Sequence, residues 1–495
     1  MKLFSAAQIH LWDAYTIAHE PITSFGLMER AAGKCTAHIF ENNWATRPIK
    51  IFCGKGNNGG DGLVIARQLI QNGLEPLVYI LEFGAKGTDD FQANLHLLHQ
   101  VTTDICFIQA ADAFPLIDGG DLVIDALYGS GLNRPLQGLS AALVAHINTY
   151  STATIAIDVP SGMYIDGSCK GNIVIKAWQT LTFQTTKICF LLAENAEHFG
   201  HVTVLDIGLA PQFIDTVETN FQLTTKNLVQ GLYKPRNIFA HKGTYGHALL
   251  IAGNTGKMGA ALLASKACLR SGAGLVTVNI PANTLGIVQT ALPEAMCTLR
   301  EESNDWPKYA TVGIGSGLGT GSDAVEMVKT VLRDYKKPLL VDADALNILS
   351  ADKQLLALLP PGSVITPHPK EFERLFGVFN NEMDRINKAI EVSKNQNLTV
   401  VLKGHHTLVA SKGRGWFNTT GNPGMAKGGS GDVLTGIITA FMAQGYTALD
   451  AALLGVYLHG LAGDLALQHQ SLESMLASDL IECIGAGFYE IGGGE

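Results

Sequence analysis

The stretch "IKIFCGKGNNGGDGLVIARQL" occupies residues 49–69 and passes from an apolar run through a glycine-rich turn into an amphipathic run. The apolar run predicts a strand over 50–54, and the amphipathic run predicts a helix over 62–73. Glycines between a strand and a helix let the backbone approach a ligand, and the free N–H groups of a helix start favour anions. The stretch therefore predicts one strand–turn–helix unit of an α/β fold, with a ligand site at the turn. Three polar side chains stand among these glycines: Asn57, Asn58 and Asp61.

Strand and helix patterns alternate on both sides of this stretch. Continuous apolar strands separated by helices are typical of a parallel sheet covered on both faces. The alternation fades after residues 201–209, and a second alternating series follows a proline-containing region near 220. We therefore predict the α/β fold class, with two three-layer parallel-sheet domains over residues 1–218 and 225–495, the first of them Rossmann-like.

Composition excludes several classes of partner. The 495-residue chain has a formal net charge of −9 and contains no lysine- or arginine-rich run, so we expect no nucleic-acid partner. No apolar segment reaches about 18 residues, so we expect no membrane partner. The eight cysteines form no Cys-x-x-Cys pair, and the first residues, "MKLFSAAQIHLWDAY", make a poor secretory signal. These features predict reduced thiols and a cytoplasmic location.

Two further loops follow predicted strands in the first half. "DALYGSGLNRPL" supplies Asp125 and Arg134, and "IDVPSG" supplies Asp158 and Ser161. In open parallel sheets, ligands bind outside the carboxyl ends of the strands, where these loops would meet. Oxygen ligands suit a hard cation, whereas glycine backbone and arginine suit phosphates. An aspartate at such a position is often only a helix cap, but three such loops at one edge together favour a binding site.

The segment "GKGNNG" also fits the dinucleotide-binding pattern G-x-G-x-x-G. That pattern requires an acidic residue about 20 positions later, at the end of the next strand. Glu75 precedes the predicted strand and Glu82 lies late, so this indication is weak.

The motifs "GNNGGDGLVIARQL", "DALYGSGLNRPL" and "AIDVPSG" resemble the three signature loops of the NAD(P)H-hydrate epimerase family, over roughly residues 1–215. The resemblance implies that the substrate is NADHX or NADPHX, a reduced nicotinamide coenzyme hydrated at C6, whose R and S forms are interconverted. It implies a K⁺ ion at Asn58, Asp125 and Ser161. The acid–base candidates are Asp125, Asp158 and Lys187. The implied substrate contacts are Asn57, Asn58, Gly59, Gly60, Asp61, Gly129, Ser130, Gly131, Leu132, Asn133, Arg134, Pro135 and Asp158. One departure from the family pattern is Ala177-Trp178-Gln179, where an Ala-Asp pair is expected.

The second half carries "NPGMAKGGSGDVLTG" over residues 422–436, at the start of an apolar helical pattern. Asp432 would lie in the first turn of that helix, where it is either a cap or a general base beside backbone N–H donors. Such an arrangement serves phosphoryl transfer to a hydroxyl group, and it resembles the ribokinase-like superfamily. No Walker A sequence is present, which excludes a P-loop protein.

Five motifs from residue 241 to about 481 resemble ADP/ATP-dependent NAD(P)H-hydrate dehydratases; among them are "TPHPKEFERL", "GMAKGGSGDVLTG" and "YLHGLAGD". The resemblance implies that Asp432 deprotonates the S hydrate, which is phosphorylated by ADP or ATP with Mg²⁺ and then loses phosphate. The implied hydrate contacts are Ala260, Gly317, His368 and Asp432. The implied nucleotide contacts are Lys403, Gly404, His405, His406, Thr407, Gly429, Ser430 and Gly431. Ser316 and Lys427 depart from the family pattern, which has proline and threonine there.

Three alternatives stay open at this stage. The second half would also suit a kinase for a vitamin alcohol or a sugar, and the first half a dehydrogenase or a module that senses the coenzyme without catalysis. A kinase would release a phosphorylated product, whereas a dehydratase would release inorganic phosphate and NADH. We expect small-molecule substrates and a homo-oligomer.

Overall fold

Strand β2 (Ile49–Cys53) lies at the centre of the first sheet in the computed structural model, which describes residues 1–492. All five of its residues are buried. Because successive side chains of a strand point to opposite faces, Ile51 enters the core on one side of the sheet and Phe52 enters the core on the other. The sheet is therefore covered on both faces, as the continuous apolar run predicts.

The described chain divides into two compact units. The N-terminal unit contains residues 2–219 and 381–383, and the C-terminal unit contains Met1, residues 220–380 and the chain from residue 384 onward. The first 219 residues contribute these strands: β1 (Lys2–Leu3), β2, β3 (Leu77–Leu81), β4 (Ile105–Ile108), β5 (Leu122–Ala126), β6 (Thr154–Ile157), β7 (Gln179–Phe183) and β8 (His201–Leu205). They also contribute these helices: α1 (Ala6–His19), α2 (Ser24–Glu41), α3 (Asn57–Gln71), α4 (Asp89–Leu98), α5 (Gly138–Tyr150), α6 (Ala196–Phe199) and α7 (Gln212–Thr216).

Seven strands of the N-terminal unit form one sheet in the order β4-β3-β2-β5-β6-β7-β8. Every neighbouring pair is parallel, which confirms the predicted fold class for this half. Helices α2, α3 and α4 supply the core on one face, and α5 contributes to the core on the other.

Helix α3 begins at Asn57, five residues before the predicted start at 62. Gly59, Gly60 and Gly62 therefore belong to the helix, where they permit close packing. A Cβ atom added to Gly59 would lie 1.8 Å from the carbonyl oxygen of Gly54, and one added to Gly60 would lie 2.6 Å from Sδ of Met28. Asn57, Asn58 and Asp61 consequently project from a fixed helix start.

The C-terminal half of the chain contributes ten strands: β9 (Phe221–Thr224), β10 (His247–Ile251), β11 (Leu275–Ile280), β12 (Met296–Leu299), β13 (Thr311–Ile314), β14 (Leu340–Val341), β15 (Val364–Ile365), β16 (Thr399–Leu402), β17 (Leu408–Ser411) and β18 (Arg414–Asn418). Its helices are α8 (Lys226–Leu232), α9 (Met258–Arg270), α10 (Leu285–Ala291), α11 (Ser322–Asp334), α12 (Ala343–Ala351), α13 (Pro369–Phe376), α14 (Glu382–Asn395), α15 (Ser430–Ala443), α16 (Ala448–Ala466) and α17 (Ala477–Gly492).

These strands lie in the order β9-β18-β17-β16-β15-β14-β13-β10-β11-β12. The pairs from β16 through β15, β14, β13, β10 and β11 to β12 are parallel, whereas β17 pairs antiparallel with both β16 and β18. The sequence patterns predicted neither β17 nor β18. Helices α9, α15, α16 and α17 pack together, and α15 carries the glycine-rich segment that contains Asp432. Among residues 1–492, no helix is both long enough and apolar enough to cross a membrane.

Candidate functional sites

The N-terminal unit has a cleft of about 760 Å³ at the carboxyl ends of its central strands. Most of its polar lining comes from the segments that follow β2, β5 and β6. Most of the apolar lining comes from α1 and α2, through residues such as Ile17 and Met28. The cleft therefore combines groups for a polar ligand with a surface that suits a flat ring.

The cleft brings together most of the candidate residues of this half. Its lining includes Asn57, Asn58, Asp61, Gly129, Ser130, Gly131, Leu132, Asn133, Arg134, Asp158 and Lys187. The candidates outside its lining are Gly59, Gly60, Asp125, Pro135 and Ser161. The departure at Ala177-Trp178-Gln179 also lies outside it: Trp178 is exposed and Gln179 begins β7.

Asp158 and Lys187 form a buried ion pair in the cleft. The Nζ atom of Lys187 donates to Oδ1 of Asp158 at 2.9 Å, and it also donates to Oγ1 of Thr182 and the carbonyl oxygen of Phe183. Asp158 has a φ angle of 65°, a left-handed conformation that is uncommon for residues other than glycine. Such strain persists where the surroundings hold it, and it is common at functional sites.

Asp125 lies beneath the cleft and is fully buried. Its carboxylate accepts hydrogen bonds from the backbone N–H and the hydroxyl of Ser161, at 2.8 and 2.6 Å, and from the N–H of Leu127. Burial raises the pKa of Asp125 to about 6, although these hydrogen bonds oppose the rise. The nearby Asn58 amide nitrogen is buried and has no hydrogen-bond partner among residues 1–492.

Two further carboxyl groups line the cleft, and one of them was not among the sequence candidates. Burial raises the pKa of Asp61 well above its ordinary value, and neighbouring carboxylates, including Asp158 and Asp13, add to the rise. Burial likewise raises the pKa of Asp13 to about 7, with a further contribution from Asp158. Sequence reasoning missed Asp13 because it lies on α1, far along the chain from the glycine-rich turn.

The C-terminal site is built around the start of α15. Gly429 precedes the helix with a φ angle of 98°, and no side chain caps the helix start. The first-turn N–H groups are therefore available to an anion. Asp432 lies in that turn, and burial raises its pKa to about 6, with further contributions from Asp342 and Asp344.

Lys403 links this helix start to neighbouring strands. Its Nζ atom donates to Oδ1 of Asp342 at 2.8 Å and lies 4.0 Å from Oε2 of Glu371. Burial opposes the charged form, but the pKa of Lys403 is raised because the carboxylates of Asp342, Glu371 and Asp432 favour the ammonium. A Cβ atom added to Gly431 would lie 3.7 Å from Nζ, so Lys403 lies beside the start of α15.

Asp342 is a buried residue at the centre of this site, and it was not among the predicted substrate or nucleotide contacts. Its carboxylate accepts hydrogen bonds from Thr366 and Thr435, both at 2.8 Å, in addition to Lys403. The position of Asp342 directly after strand β14 was visible in the sequence. Its role in holding Lys403 was not visible, because that contact joins two distant loops.

The other candidates of this half lie around the same strand ends. Gly317 packs against Ala260, since a Cβ on Gly317 would lie 2.8 Å from that of Ala260. His368 caps α13, and burial lowers its pKa. Residues 404–407 form the turn between β16 and β17. The chain departs from the family pattern at two residues here: Ser316, whose hydroxyl interacts with the Asp432 carboxyl and lowers its pKa, and Lys427, which donates to the carbonyl oxygen of Glu473.

Known proteins resemble both halves of this chain. The family described as "YjeF-related protein N-terminus" matches residues 24–189, and the family described as "NAD(P)H-hydrate dehydratase" matches residues 248–485. A solved ADP/ATP-dependent NAD(P)H-hydrate dehydratase from Bacillus subtilis, co-crystallized with ATP/Mg²⁺, is 31% identical with a TM-score of 0.50, covering 55% of this chain and 100% of that chain. A ribokinase-like superfamily protein from Enterococcus faecalis is 29% identical with a TM-score of 0.51, covering 56% and 98%.

Full-length relatives cover both halves together. The bifunctional NAD(P)H-hydrate repair enzyme of Moorella thermoacetica is 36% identical over 97% of this chain and 96% of its own length. The corresponding enzyme of Coxiella burnetii is 34% identical, covering 93% and 94%. This chain belongs to the family of bifunctional NAD(P)H-hydrate repair enzymes.

Proposed function

We propose that residues 1–218 interconvert the R and S forms of NADHX and NADPHX, and that residues 225–495 dehydrate the S form with ADP or ATP. The observation that carries this proposal is Asp432 at the uncapped start of α15, beside Lys403, in a chain whose other half has a carboxyl-lined cleft. The products are NADH or NADPH, inorganic phosphate and AMP or ADP. A dehydratase limited to one epimer would leave the other unused, which gives a chemical reason for both activities in one chain.

Dehydration begins at the hydroxyl group on C6 of the S hydrate. Asp432 removes its proton, and the oxygen attacks the terminal phosphorus of the nucleotide. The first-turn N–H groups of α15 and the ammonium of Lys403 stabilise the negative charge that develops on the transferred group. The C6–O bond then breaks as the ring nitrogen lone pair forms a C=N bond, phosphate leaves, and loss of a proton from C5 restores the dihydropyridine.

The dehydratase site suits a magnesium nucleotide. A bound Mg²⁺ ion would neutralise charge on the phosphates during transfer. No group of three His, Cys, Asp or Glu side chains among residues 1–492 could hold a metal ion, so the phosphates and water would supply most of its ligands. The proposed nucleotide contacts remain Lys403 to Thr407 and Gly429 to Gly431, and the proposed hydrate contacts remain Ala260, Gly317, His368 and Asp432.

The epimerase half suits a K⁺ ion at Asn58, Asp125 and Ser161. Rotating the Asn58 amide would place its oxygen where an unpartnered nitrogen now stands, and Asp125 is a buried carboxylate without a cationic partner among residues 1–492. A bound K⁺ would supply the positive charge that keeps Asp125 ionised. Asp125 and Ser161 would thus belong to the cation site, whereas Asp158 and Lys187 face the substrate.

The proposal is tested by incubating the purified protein with mixed R and S hydrates, Mg²⁺, K⁺ and either ADP or ATP. We expect complete recovery of the reduced coenzyme with one phosphate released per molecule. Asp432→Ala should abolish recovery because it removes the base. Unchanged recovery in Asp432→Ala would contradict the mechanism, and accumulation of a stable phosphorylated product would favour the kinase alternative. Omitting K⁺ tests the cation site, and light scattering tests the predicted homo-oligomer.

A further inference from the structure

Helix α1 brings a carboxyl group with no assigned role into the cleft of the N-terminal unit. Asp13 lines this cleft together with Asp61, Asp158 and Lys187. Lys187 forms an ion pair with Asp158, whereas Asp13 accepts no hydrogen bond and forms no ion pair within residues 1–492, and the charge of Lys187 only partly offsets the effect of burial on its pKa. Asp13 and Asp158 therefore line the same cleft, but only Asp158 is paired with a cation.

We propose that Asp13 is the general acid of hydrate epimerisation, and that Asp158, paired with Lys187, is the corresponding base. This inference rests on the proposed epimerase function and adds the assignment of its proton donor. Unequal surroundings are what such a pair of carboxyl groups requires, since one must hold a proton and the other must be ionised.

The reaction balances with these two groups. Asp13 transfers its proton to the hydroxyl oxygen as the C6–O bond breaks, and the ring nitrogen lone pair forms a C=N bond, so water leaves. Water then forms a new C6–O bond on the opposite face of the ring, and Asp158 accepts its proton. Exchange of protons with solvent returns both carboxyl groups to their starting states, and no oxidant or reductant is required.

The surroundings of Asp13 support the assignment. Apolar residues of α1 and α2, including Ile9, Leu27 and Met28, line the same cleft and lower the polarity of its surroundings. Burial raises the pKa of Asp13 to about 7, so a large fraction holds a proton near neutrality. The other charged or titratable groups that line the cleft are His10, Lys55, Asp61, Tyr128, Arg134, Asp158 and Lys187.

Asp61 is the competing candidate for the proton donor. Asp61 is 8% exposed on α3, whereas Asp13 on α1 is less buried. A proton donor must reach the bound hydrate and regain its proton from solvent, so the more accessible Asp13 suits this role better.

The test uses the full-length protein and purified R hydrate, with conversion to S followed by chromatography in the absence of nucleotide. We expect Asp13→Asn to slow conversion about 10²-fold, since general acids contribute effects of this size. We also expect the wild-type rate to fall above about pH 7, as Asp13 loses its proton, and Asp13→Asn to lack this alkaline limb. Dehydration of pure S hydrate should be unchanged.

Asp166→Asn is the matched control. Asp166 also has a raised pKa and accepts a hydrogen bond from the N–H of Ala6 at the start of α1, but it does not line the cleft. This variant should keep both the wild-type rate and the fall in rate above about pH 7.

A normal rate and an unchanged alkaline fall in Asp13→Asn would overturn the inference. A wild-type protein that never converts R to S would overturn the proposed function instead. If Asp13→Asn fails to fold, Asp13→Glu provides the test. A shift in the pH above which the conversion rate falls supports the inference, and an unchanged pH dependence overturns it.

Discussion

At the scale of single residues, the two halves use carboxyl groups whose surroundings differ. Asp158 is held by an ammonium group, Asp125 by N–H and hydroxyl donors, and Asp432 by the Ser316 hydroxyl and the charge of Lys403. Burial outweighs these two groups at Asp432, so its pKa stays raised. A base with a pKa close to neutrality removes a hydroxyl proton more effectively than an ordinary aspartate would.

The raised pKa of Asp432 predicts the pH dependence of dehydration. The base must be ionised, so kcat/KM for the S hydrate, which reports the free protein, should fall about tenfold per pH unit below about pH 6. Asp344→Asn removes one of the negative charges that raise this pKa, so its acidic limb should move to lower pH. Identical limbs in the two proteins would show that another group titrates. Stopped assays of NADH formation between pH 4.5 and 8 (about one half-unit apart) measure both limbs.

At the scale of elements, both sites depend on where a helix begins. Helix α3 starts inside the glycine-rich turn, and α15 starts at a glycine with positive φ. A hydrogen bond from α16 helps to fix the start of α15: Nε2 of His459 donates to the carbonyl oxygen of Ser430 at 2.9 Å. Burial lowers the pKa of His459 to about 4, so the imidazole is neutral near pH 7.

Replacing His459 should damage dehydration without touching the reacting atoms. In His459→Leu the carbonyl of Ser430 loses its donor, and we expect the start of α15 to shift and kcat to fall about tenfold, as small misplacements of catalytic groups do. Conversion of R to S hydrate in the same preparation should be unchanged, which provides the internal control. Equal kcat values for His459→Leu and the wild type would show that α15 is held by other contacts.

The lowered pKa of His459 also affects stability. In the unfolded chain this histidine binds a proton below about pH 6.5, whereas in the folded unit it does so only below about pH 4. The unfolded state therefore binds more protons between these values, and the His459 contribution destabilises the fold as the pH falls through that range.

At the scale of the whole molecule, each site is built from residues of one compact unit. The two activities should therefore combine through free diffusion of the hydrate. A mixture of Asp158→Asn and Asp432→Asn proteins should recover the coenzyme completely from mixed R and S hydrates. Asp158→Asn alone should leave the R form, apart from slow spontaneous conversion, and Asp432→Asn alone should recover none. Incomplete recovery by the mixture would indicate that the hydrate must pass within one chain.

The sequence by itself determined the α/β class, the two alternating series and the loops that follow the strands, because these depend on local apolar periodicity and glycine placement. The same patterns missed the antiparallel strands β17 and β18 and placed the start of α3 too late. Those features depend on contacts between distant segments, such as the close approach of Gly59 to Gly54.

Tertiary structure alone decided which polar residues share a site and in what state of ionisation. Asp13 enters the cleft from α1, Lys187 reaches Asp158 from beyond β7, and Asp342 holds Lys403 across two strand ends. The order of residues along the chain carries no measure of burial or of distance between remote side chains. Since burial and distance determine a pKa, only the folded chain distinguishes a proton donor from a base among its aspartates.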